Sequence, residues 1–403
     1  MTYHRDYPHL TFHRQWELNT KCLLTLGESF SLVRAIRNTP IMPQYRHKLM
    51  EVSLRKGAQS TTAIEGNTLT DEHIAKLVEG QKLPESLQYQ GIEVENIINA
   101  FITLLQETVD ENNDQLITPA LLLRFHKMVG QNLGDHFAAS PGHFRDGDVV
   151  VGTYRCPDYR DVPELVNAYC EFLRTEFRFD PNQEHDLDQF ITTFVEAIVA
   201  HVYLEWIHPF GDGNGRTGRL IEFYVLSRGG NPDITLHILS NHYNATRSEY
   251  YRQLEKASKT KSLSEFIEYA LIGYRDGLLN IQENIRSSQR QITWQKYVYD
   301  VFDNVEIGQK EVFKRKRLLA LEIPIDNDFT LEQIPELNII LARLYSGLSE
   351  KTLQRDVNEL IALEILQEHE DGIHYSANIS AILKMVPKRK ELIKHVLSSE
   401  GNQ

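Results

Sequence analysis

One stretch of the sequence brings together residue types that could act on a polyphosphate. It reads His-Pro-Phe-Gly-Asp-Gly-Asn-Gly-Arg-Thr-Gly-Arg and runs from His208 to Arg219. Its histidine is the only side chain suited to proton transfer near neutral pH. Asp212 supplies a carboxylate of the kind that Mg²⁺ uses together with phosphate oxygens. These residues predict an anion site with a base and a metal ligand beside it.

The glycine-rich turn predicts where the anion would bind. Gly213, Asn214 and Gly215 join two apolar helical patterns, so their backbone amides should open the second helix. Such amides have no partner within the helix, and the helix dipole adds about half a positive charge there. Arg216 and Arg219 follow in the first turn and share one helix face. Two cations at that end are unfavourable unless an anion of several charges binds beside them.

Two other ligand sites fit the same residues less well. Gly213–Gly218 matches the G-x-G-x-x-G pattern of dinucleotide sites, but that pattern must follow a strand, and a helical period precedes it here. A P-loop would need Gly-Lys-Ser/Thr, which does not follow. His208 taken alone is also compatible with a core histidine. His201 lacks the i, i+4 spacing of a helical zinc pair, so core packing is expected for it.

Helical periodicity predicts the elements that hold this stretch in place. A buried helix leads into it, with apolar residues at Phe190, Phe194 and Ile198. A second helix leaves it and stops at Gly229-Gly230. Further helices are predicted over residues 16–37, from about 45 to 65, over 92–109 and 118–133, from 161 onwards and over 263–285. The fold is therefore predicted to be mainly α.

One predicted helix ends on a carboxylate. Gly66 and Asn67 are stop signals, so Glu65 should lie at or near the C-terminal end of the second helix. A negative side chain there faces the negative pole of the helix dipole. This placement becomes favourable if a cation lies opposite.

A single β-hairpin is predicted between the helical segments. Val149 to Val151 favour extended structure, and Asp146-Gly147 is a strong two-residue turn signal. An isolated hairpin in a helical protein indicates a flap more than a sheet.

The character of the chain changes near residue 290. The helical pattern of Ile339–Tyr345, a Ser346-Gly347 break and the pattern of Ser349–Leu366 predict a helix-turn-helix. Asp371-Gly372 adds a hairpin turn, so a winged version is expected. Three regions are predicted: residues 1–90, an N-terminal helical region; 91–285, the helical core; and 286–403, the winged helix-turn-helix domain.

Composition restricts the class of protein. A chain of 403 residues with 41% apolar and 25% charged residues is ordinary for a globular protein. Its net charge of −13 argues against non-specific nucleic-acid binding by the whole molecule. The three cysteines are odd in number and lack metal-ligand spacing, so a reduced, cytoplasmic location is expected. The N-terminus has no apolar core of signal-peptide type. The apolar stretch Phe190–Phe210 contains Glu196, His201 and Glu205, which indicates a buried helix and no membrane span.

His208 to Arg219 resembles the signature of the Fic family, HPFx[D/E]GNGRxxR, at every fixed position. The resemblance implies a helical core with a β-hairpin flap that transfers AMP from ATP to a hydroxyl side chain (Tyr, Thr or Ser) of a protein. It implies that His208 deprotonates that hydroxyl and that Asp212 holds Mg²⁺. The residues implied to hold the nucleotide are Gly213, Asn214, Gly215, Arg216, Thr217, Gly218 and Arg219, the last at the γ-phosphate. A relative that transfers phosphate has lysine in place of the second motif glycine, so Gly215 favours AMP transfer.

The resemblance extends beyond this motif. Thr61-Thr-Ala-Ile-Glu65-Gly66 is similar to the family's inhibitory helix, [S/T]xxxE[G/N], and it precedes the core. This implies that Glu65 pairs with Arg219 and blocks productive ATP binding, which supplies the cation that Glu65 requires. The hairpin is similar to the family's flap, which holds the target segment as an added strand. Thr246 stands where the family has an asparagine, and it is expected to contact the nucleotide.

Three functions are left open. The first is an autoinhibited protein adenylyltransferase, with self-modification of the chain as its first detectable product. The second is removal of AMP from a modified protein, with Glu65 positioning a water. The third is a DNA-binding regulator, with a protein-interaction module as its alternative; the residues that would face DNA are Lys351, Gln354, Arg355 and Asn358, with Lys314–Arg317 on the phosphates. The target protein and assembly into a homo-oligomer are also left open.

Overall fold

The protein is mainly helical, as predicted. The computed structural model describes residues 7–110, 116–180, 185–304 and 310–383. The helices are α1 Thr20–Asn38, α2 Pro43–Ala63, α3 Asp71–Val78, α4 Gln88–Asp110, α5 Pro119–Gly130, α6 Val162–Phe177, α7 Leu187–Ile207, α8 Asn214–Arg228, α9 Ile238–Ala245, α10 Arg247–Thr260, α11 Ser264–Asp303, α12 Lys310–Glu322, α13 Ile339–Tyr345, α14 Glu350–Ala362 and α15 Ile379–Leu383. The strands are β1 Val150–Val151, β2 Tyr154–Arg155, β3 Phe329–Thr330, β4 Leu366–Glu368 and β5 His374–Ala377.

The chain forms two compact units, Met1–Glu283 and Asn284–Gln403. Helix α11 passes from one to the other without a break. Its apolar spacing continues through Trp294, Val298 and Phe302, which lie in the core of the second unit. The boundary predicted at residues 285/286 therefore falls inside a helix.

Helices α7 and α8 form the centre of the first unit and pack against each other. The Asp186 side chain caps the start of α7 by accepting the backbone N–H of Gln189 at 2.8 Å. Helix α7 ends at His208, which is left-handed with φ 50°. Helix α8 begins after Gly213, which is also left-handed with φ 77°. The loop with the predicted chemistry is therefore held between the ends of two buried helices.

Among the helices of the described residues, only α7 is long and apolar enough to cross a membrane, by length and composition. Of its apolar window, 83% is buried inside the unit. This burial matches the core helix that the sequence predicts.

Helix α2 carries Glu65 to the centre of the unit. It begins with Pro43 in the first turn and packs against α4 and α9. The packing is close, because a Cβ on Gly57 would lie 2.5 Å from Cβ of His237. Gly66, with φ 103°, turns the chain away after the helix. Glu65 thus directly follows the last helical turn, as predicted.

The predicted hairpin exists, but the prediction of its turn is wrong. Strands β1 and β2 are antiparallel, with Val150 opposite Arg155 and Val151 opposite Tyr154. Gly152, with φ 58°, lies in the turn. Asp146-Gly147 precedes the first strand, where the Gly147 carbonyl accepts a hydrogen bond from the Arg145 guanidinium at 2.8 Å. A local side-chain hydrogen bond therefore holds the Gly147 backbone outside the hairpin turn.

The second unit contains a helix-turn-helix followed by a small antiparallel sheet. Helix α13 has its predicted bounds, Gly347 turns the chain with φ 77°, and α14 follows Ser349. Helix α14 ends before the predicted Leu366, because Leu366 begins β4 and pairs with Ala377. The sheet has the order β3-β5-β4. Helices and hairpin follow the order predicted for a winged helix-turn-helix.

The basic stretch Lys314–Arg317 lies in α12 and contacts its own unit. Arg315 forms two hydrogen bonds to Asp356, at 2.6 and 3.0 Å, and Asp356 is fully buried. Lys316 pairs with Glu359. Two of the four basic side chains therefore hold α12 against α14.

Candidate active site

His208 lies at the C-terminal cap of α7 with its side chain mostly buried. Its backbone N–H donates to the Leu204 carbonyl at 2.8 Å. Its Nδ1 lies 3.3 Å from the Glu205 carbonyl oxygen, which can only accept, so Nδ1 carries the proton. Burial lowers the pKa of His208 to about 4, so the ring is neutral at pH 7. His208 therefore has a free lone pair on Nε2 and can act as a base.

Asp212 lies on the open side of the loop, with 30% of its side chain exposed. Its Oδ2 accepts the Ala138 backbone N–H at 3.2 Å, and its Oδ1 pairs with Arg216 Nη2 at 2.8 Å. Among the described residues, no group of three or more His, Cys, Asp or Glu side chains could hold a metal. Mg²⁺ commonly uses one or two carboxylates with waters and phosphate oxygens. Asp212 fits a Mg²⁺ that a polyphosphate also ligates.

Asn214 closes the loop with its side chain. It accepts the Phe210 backbone N–H at 3.0 Å and donates to the Phe210 carbonyl at 2.8 Å. Its amide group is therefore used inside the protein, which leaves its backbone N–H at the start of α8. The first amides of a helix lack intrahelical partners, so an anion site remains at this end.

Arg216 is held by two carboxylates in a buried position. Its Nη1 pairs with Glu93 at 2.5 Å and its Nη2 with Asp212. Glu93 also accepts the Asn67 side-chain amide at 3.0 Å. Glu93 thus connects the motif to the segment that follows Glu65, a contact that no sequence pattern indicated.

Arg219 faces the other carboxylate of this segment. Its Nη2 lies 2.5 Å from Glu65 Oε1 and 2.9 Å from the Thr61 carbonyl oxygen. Its side chain is only 1% exposed, and its Nε and Nη1 have no hydrogen-bond partner among the described residues. Burial opposes the charge, but the surrounding negative groups, Glu65 first, raise the pKa of Arg219 above its usual value. The predicted pairing of Glu65 with Arg219 is present.

Thr61, predicted as part of the inhibitory motif, contributes through its backbone. Its carbonyl binds Arg219, while its hydroxyl is buried and has no hydrogen-bond partner in the described part of the chain. Any residue at this position could supply that carbonyl. The threonine hydroxyl itself makes no hydrogen bond to Arg219.

The Glu65 carboxylate fills the space above Gly215. A Cβ added to Gly215 would collide with Glu65 Oε1 and lie 3.0 Å from Arg219 Nη1. Gly215, which was expected to favour AMP transfer, therefore opens a space that the Glu65 carboxylate occupies. An anion bound at the start of α8 and the Glu65 carboxylate would compete for it.

Thr217 and Gly218, predicted to hold the nucleotide, face the interior. Thr217 is fully buried. A Cβ on Gly218 would lie 2.9 Å from His201 Nδ1 and 3.4 Å from Glu205 Oε1. The lack of a side chain at Gly218 thus permits α8 to pack closely on α7.

A buried polar network lies behind Arg219, and sequence reasoning missed it. His201 Nε2 and the Tyr250 hydroxyl lie 2.8 Å apart, and the Tyr243 hydroxyl donates to Glu222 at 2.9 Å. Burial lowers the pKa of His201 to about 3 and, with help from Glu65, raises the pKa of Glu205 to about 8. His201 is a core histidine, as expected.

Thr246, predicted to contact the nucleotide, uses its hydroxyl inside the first unit. Its Oγ1 lies 2.6 Å from the Tyr269 hydroxyl and donates to the His242 carbonyl at 2.7 Å. Two later residues on α10 reach the site instead. Tyr250 contacts His201, and the Tyr251 hydroxyl donates to the Ile64 carbonyl at 3.2 Å, next to Glu65.

Comparison with known proteins identifies similar chains. Residues 116–226 match the Fic/DOC family model. A protein adenylyltransferase Fic of Nematostella vectensis is 29% identical over 205 residues, which cover 49% of this chain and 42% of the relative. A protein adenylyltransferase fic-1 of Caenorhabditis elegans is 28% identical over 269 residues, which cover 60% of this chain and 48% of that protein. The chain thus spans less than half the length of these curated relatives.

A solved structure shows the same fold. The crystal structure of a Fic family protein from Desulfovibrio desulfuricans aligns with a TM-score of 0.53 at 18% identity. The alignment covers 91% of this chain and 98% of that one.

Proposed function

We propose that this chain, which contains a Fic/DOC family domain at residues 116–226, is an autoinhibited protein adenylyltransferase. It would move AMP from ATP to a hydroxyl side chain of a protein, with the chain itself as one acceptor. The names of the similar curated proteins support the transfer. The contact between Glu65 and Arg219 supports the inhibition.

One observation carries the inhibition. The Glu65 carboxylate lies against Arg219 and above Gly215, at the end of α8 where a polyphosphate would bind. A triphosphate and this carboxylate are both anions, and they require the same guanidinium. ATP therefore binds productively only when Glu65 moves away.

His208 would supply the base. Its neutral ring accepts the proton of the target hydroxyl on Nε2, while Nδ1 stays bonded to the Glu205 carbonyl. The hydroxyl oxygen then forms a bond to the α-phosphorus of ATP, and the bond from that phosphorus to the pyrophosphate oxygen breaks. Pyrophosphate leaves, and His208 carries the proton until it returns to solvent. No change of oxidation state occurs.

The start of α8 would hold the phosphates. Its backbone amides, Arg216 and Arg219 are the positive groups that face them. Asp212 is the residue that would hold Mg²⁺, which supplies charge neutralisation on the phosphates when it is bound. Asp212 would have to exchange its contact with Arg216 for this role.

Three proteins test the proposal: the wild type, Glu65→Gly and Glu65→Gly with His208→Ala. Each is incubated with ATP labelled at the α-phosphate and Mg²⁺, alone and with cell lysate. We expect label on protein with Glu65→Gly, little with the wild type and none with the double variant. Mass spectrometry then locates the AMP. If none of the three labels any protein, the transferase proposal is wrong.

Removal of AMP is the second candidate, because Glu65 could position a water beside the same site. The Glu65 side chain is 32% exposed, and its negative charge raises the pKa of His208, although burial remains the main influence and lowers it. A pre-modified protein separates the two directions. Release of AMP by the wild type but not by Glu65→Gly would support removal.

DNA binding by the second unit is a third candidate. Lys351, Arg355 and Asn358 are exposed along α14. One observation argues against DNA binding: Arg315 and Lys316 form ion pairs with Asp356 and Glu359 of the same unit, so their charges are already neutralised. A gel-shift titration decides: affinity that falls steeply with salt would support DNA binding, and no shift would exclude it.

The cytoplasm is the location that we propose for the protein. Cys22, Cys156 and Cys170 are free and buried. Thiols of this kind persist in reducing compartments. Cell fractionation with an antibody against the chain tests it.

A further inference from the structure

Arg145 is a buried side chain that joins the flap to the catalytic loop. Only 7% of the residue is exposed. It donates four hydrogen bonds to backbone carbonyls: its backbone N–H to Pro209 at 3.0 Å, Nε to His208 at 2.8 Å, Nη1 to Gly147 at 2.8 Å and Nη2 to Pro157. Gly147 precedes the hairpin and Pro157 follows it. One guanidinium therefore holds both ends of the flap and the backbone of the proposed base.

The charge of Arg145 has no ion-pair partner in the described part of the chain. Buried cations are usually paired with a carboxylate, because burial of an unpaired charge is unfavourable. Here three backbone carbonyl oxygens accept hydrogen bonds from the guanidinium. A buried guanidinium without a carboxylate partner does not favour the stability of the folded state, but the rigid planar fork of arginine can bind several carbonyls at once.

The backbone of His208 requires this support. A non-glycine residue with φ 50° is in the left-handed region, which is unfavourable without tertiary contacts. Its N–H is bound by Leu204 in α7, and its carbonyl is bound by Arg145. Helix α7 thus binds the backbone N–H of His208, and Arg145 binds its carbonyl.

We propose that Arg145 is a positioning residue that fixes the flap and the His208 backbone as one rigid unit, so that a hydroxyl held on the flap is presented to His208. This inference rests on the proposed AMP transfer. Arg145 touches neither the substrate hydroxyl nor the nucleotide. Its effect on the reaction passes through His208 and the hairpin.

Arg145 also acts on the proton equilibrium of His208. Burial is the main cause of the low pKa of His208, and the Arg145 cation lowers it further. The other groups that act on this ring are the Glu205 carbonyl, Glu65 and Asp212, which raise it. Charge and geometry can be separated, because lysine keeps the cation and loses the fork, whereas glutamine loses both.

The experiment uses Glu65→Gly as the active parent and adds Arg145→Lys, Arg145→Gln or the control Arg174→Lys. Arg174 is an exposed arginine on α6, outside the flap and the catalytic loop. The protein substrate is a tagged second copy that carries Glu65→Gly and His208→Ala. Initial rates of AMP transfer are measured against substrate concentration and pH, and ATP binding is measured by calorimetry. Hydrogen exchange of the flap amides is followed without ATP.

We expect Arg145→Lys to lower kcat about 100-fold, as a displacement of about 1 Å in reacting groups does. The ATP dissociation constant should stay within about twofold of the parent, because the groups proposed to hold the nucleotide are Asp212, Arg216, Arg219 and the first amides of α8. Arg145→Gln should in addition move the acid limb of the pH profile to higher pH. The Cys156 amide, bonded to the Val149 carbonyl across the hairpin, should exchange about tenfold faster in both variants.

The outcomes separate the two proposals. An active parent whose kcat and flap exchange are unchanged by Arg145→Lys would overturn the positioning role. A parent that does not modify the second copy would count against the transferase proposal, and flap exchange would then decide the role of Arg145. Arg174→Lys should match the parent in every measurement.

Discussion

The contact between Glu65 and Arg219 gives a prediction that separates charge from volume. Glu65→Gln keeps the size of the side chain and removes its charge, whereas Glu65→Gly removes both. If attraction to Arg219 holds the inhibited state, glutamine should release most of the activity. If the side chain blocks the nucleotide only by its bulk, glutamine should remain inhibited.

The magnitude follows from the burial of the two partners. A hydrogen bond between charged groups contributes about 1.5–3 kcal/mol. Arg219 is 1% exposed but Glu65 is 32% exposed, so solvent screening favours the lower part of this range, about 1.5–2 kcal/mol. Because about 1.4 kcal/mol corresponds to a factor of ten, the inhibited population should decrease about 10- to 30-fold. AMP labelling by Glu65→Gln should rise by that factor over the wild type.

Three measurements check this prediction. Labelling gives the rate, and calorimetry in a His208→Ala background gives ATP affinity without turnover. Thermal unfolding without ATP should show a loss of about 1.5–2 kcal/mol for Glu65→Gln, because Arg219 stays buried without its carboxylate. ATP at 100 times its dissociation constant should add about 2.7 kcal/mol. Glu95→Gln, an exposed carboxylate on α4, is the control.

One result would refute the reasoning. Glu65→Gln at the wild-type rate, together with an active Glu65→Gly, would mean that volume above Gly215 and not charge on Arg219 maintains inhibition. Equal ATP affinity in wild type and Glu65→Gly would place the block at the chemical step and not at nucleotide binding.

Three further changes have defined outcomes. Asn67→Ala removes the side-chain amide that binds Glu93. AMP labelling should rise about tenfold over the wild type, because the segment that carries Glu65 loses about 1–1.5 kcal/mol of anchoring free energy. Unchanged labelling would contradict this. Asp356→Asn breaks the buried pair with Arg315 and should lower the free energy of unfolding of the second unit by about 3 kcal/mol in a urea titration. Burial lowers the pKa of five histidines to about 4 or about 3: His9, His126, His201, His208 and His237. Below pH 6.5 the unfolded chain takes up protons that these folded rings refuse, so stability should fall towards pH 4 by about 1.4 kcal/mol per pH unit for each histidine. Flat stability over that range would show that the rings are protonated in the folded protein.

The sequence predicted the helices and the central loop well because both depend on local patterns. Apolar residues at helical spacing mark α7 and α8 whether or not their partners are known. Glycine stop signals place Glu65 at the end of α2 and end α8 at Gly229. The pairing of Glu65 with Arg219 was predicted from the resemblance to the family's inhibitory helix, whereas the position of Glu65 at a helix end indicated only that it requires a cation.

Contacts between distant segments were beyond such patterns. Glu93 is one carboxylate on an amphipathic helix, and nothing in its neighbourhood marks it as the partner of Arg216. The hairpin turn was misplaced because Arg145 binds the Gly147 carbonyl from within the same segment. Thr246 was assigned by resemblance, and the structure uses its hydroxyl for Tyr269. For Glu93 and Thr246 the deciding hydrogen bond joins distant segments, whereas for the hairpin turn it is a local bond that the turn preference does not reveal.

The two motif arginines differ in how firmly their carboxylates are held, and this difference identifies the residue that can move. Glu93 lies within α4 and is bound by both Arg216 and Asn67. Glu65 lies after the last turn of α2, next to Gly66, and is the more exposed of the two. A hinge at Gly66 can withdraw Glu65 without disturbing α4, whereas withdrawal of Glu93 would unpack a buried helix. If the chain is the autoinhibited transferase that we propose, inhibition should therefore be relieved at Arg219, while the position of Arg216 should not change.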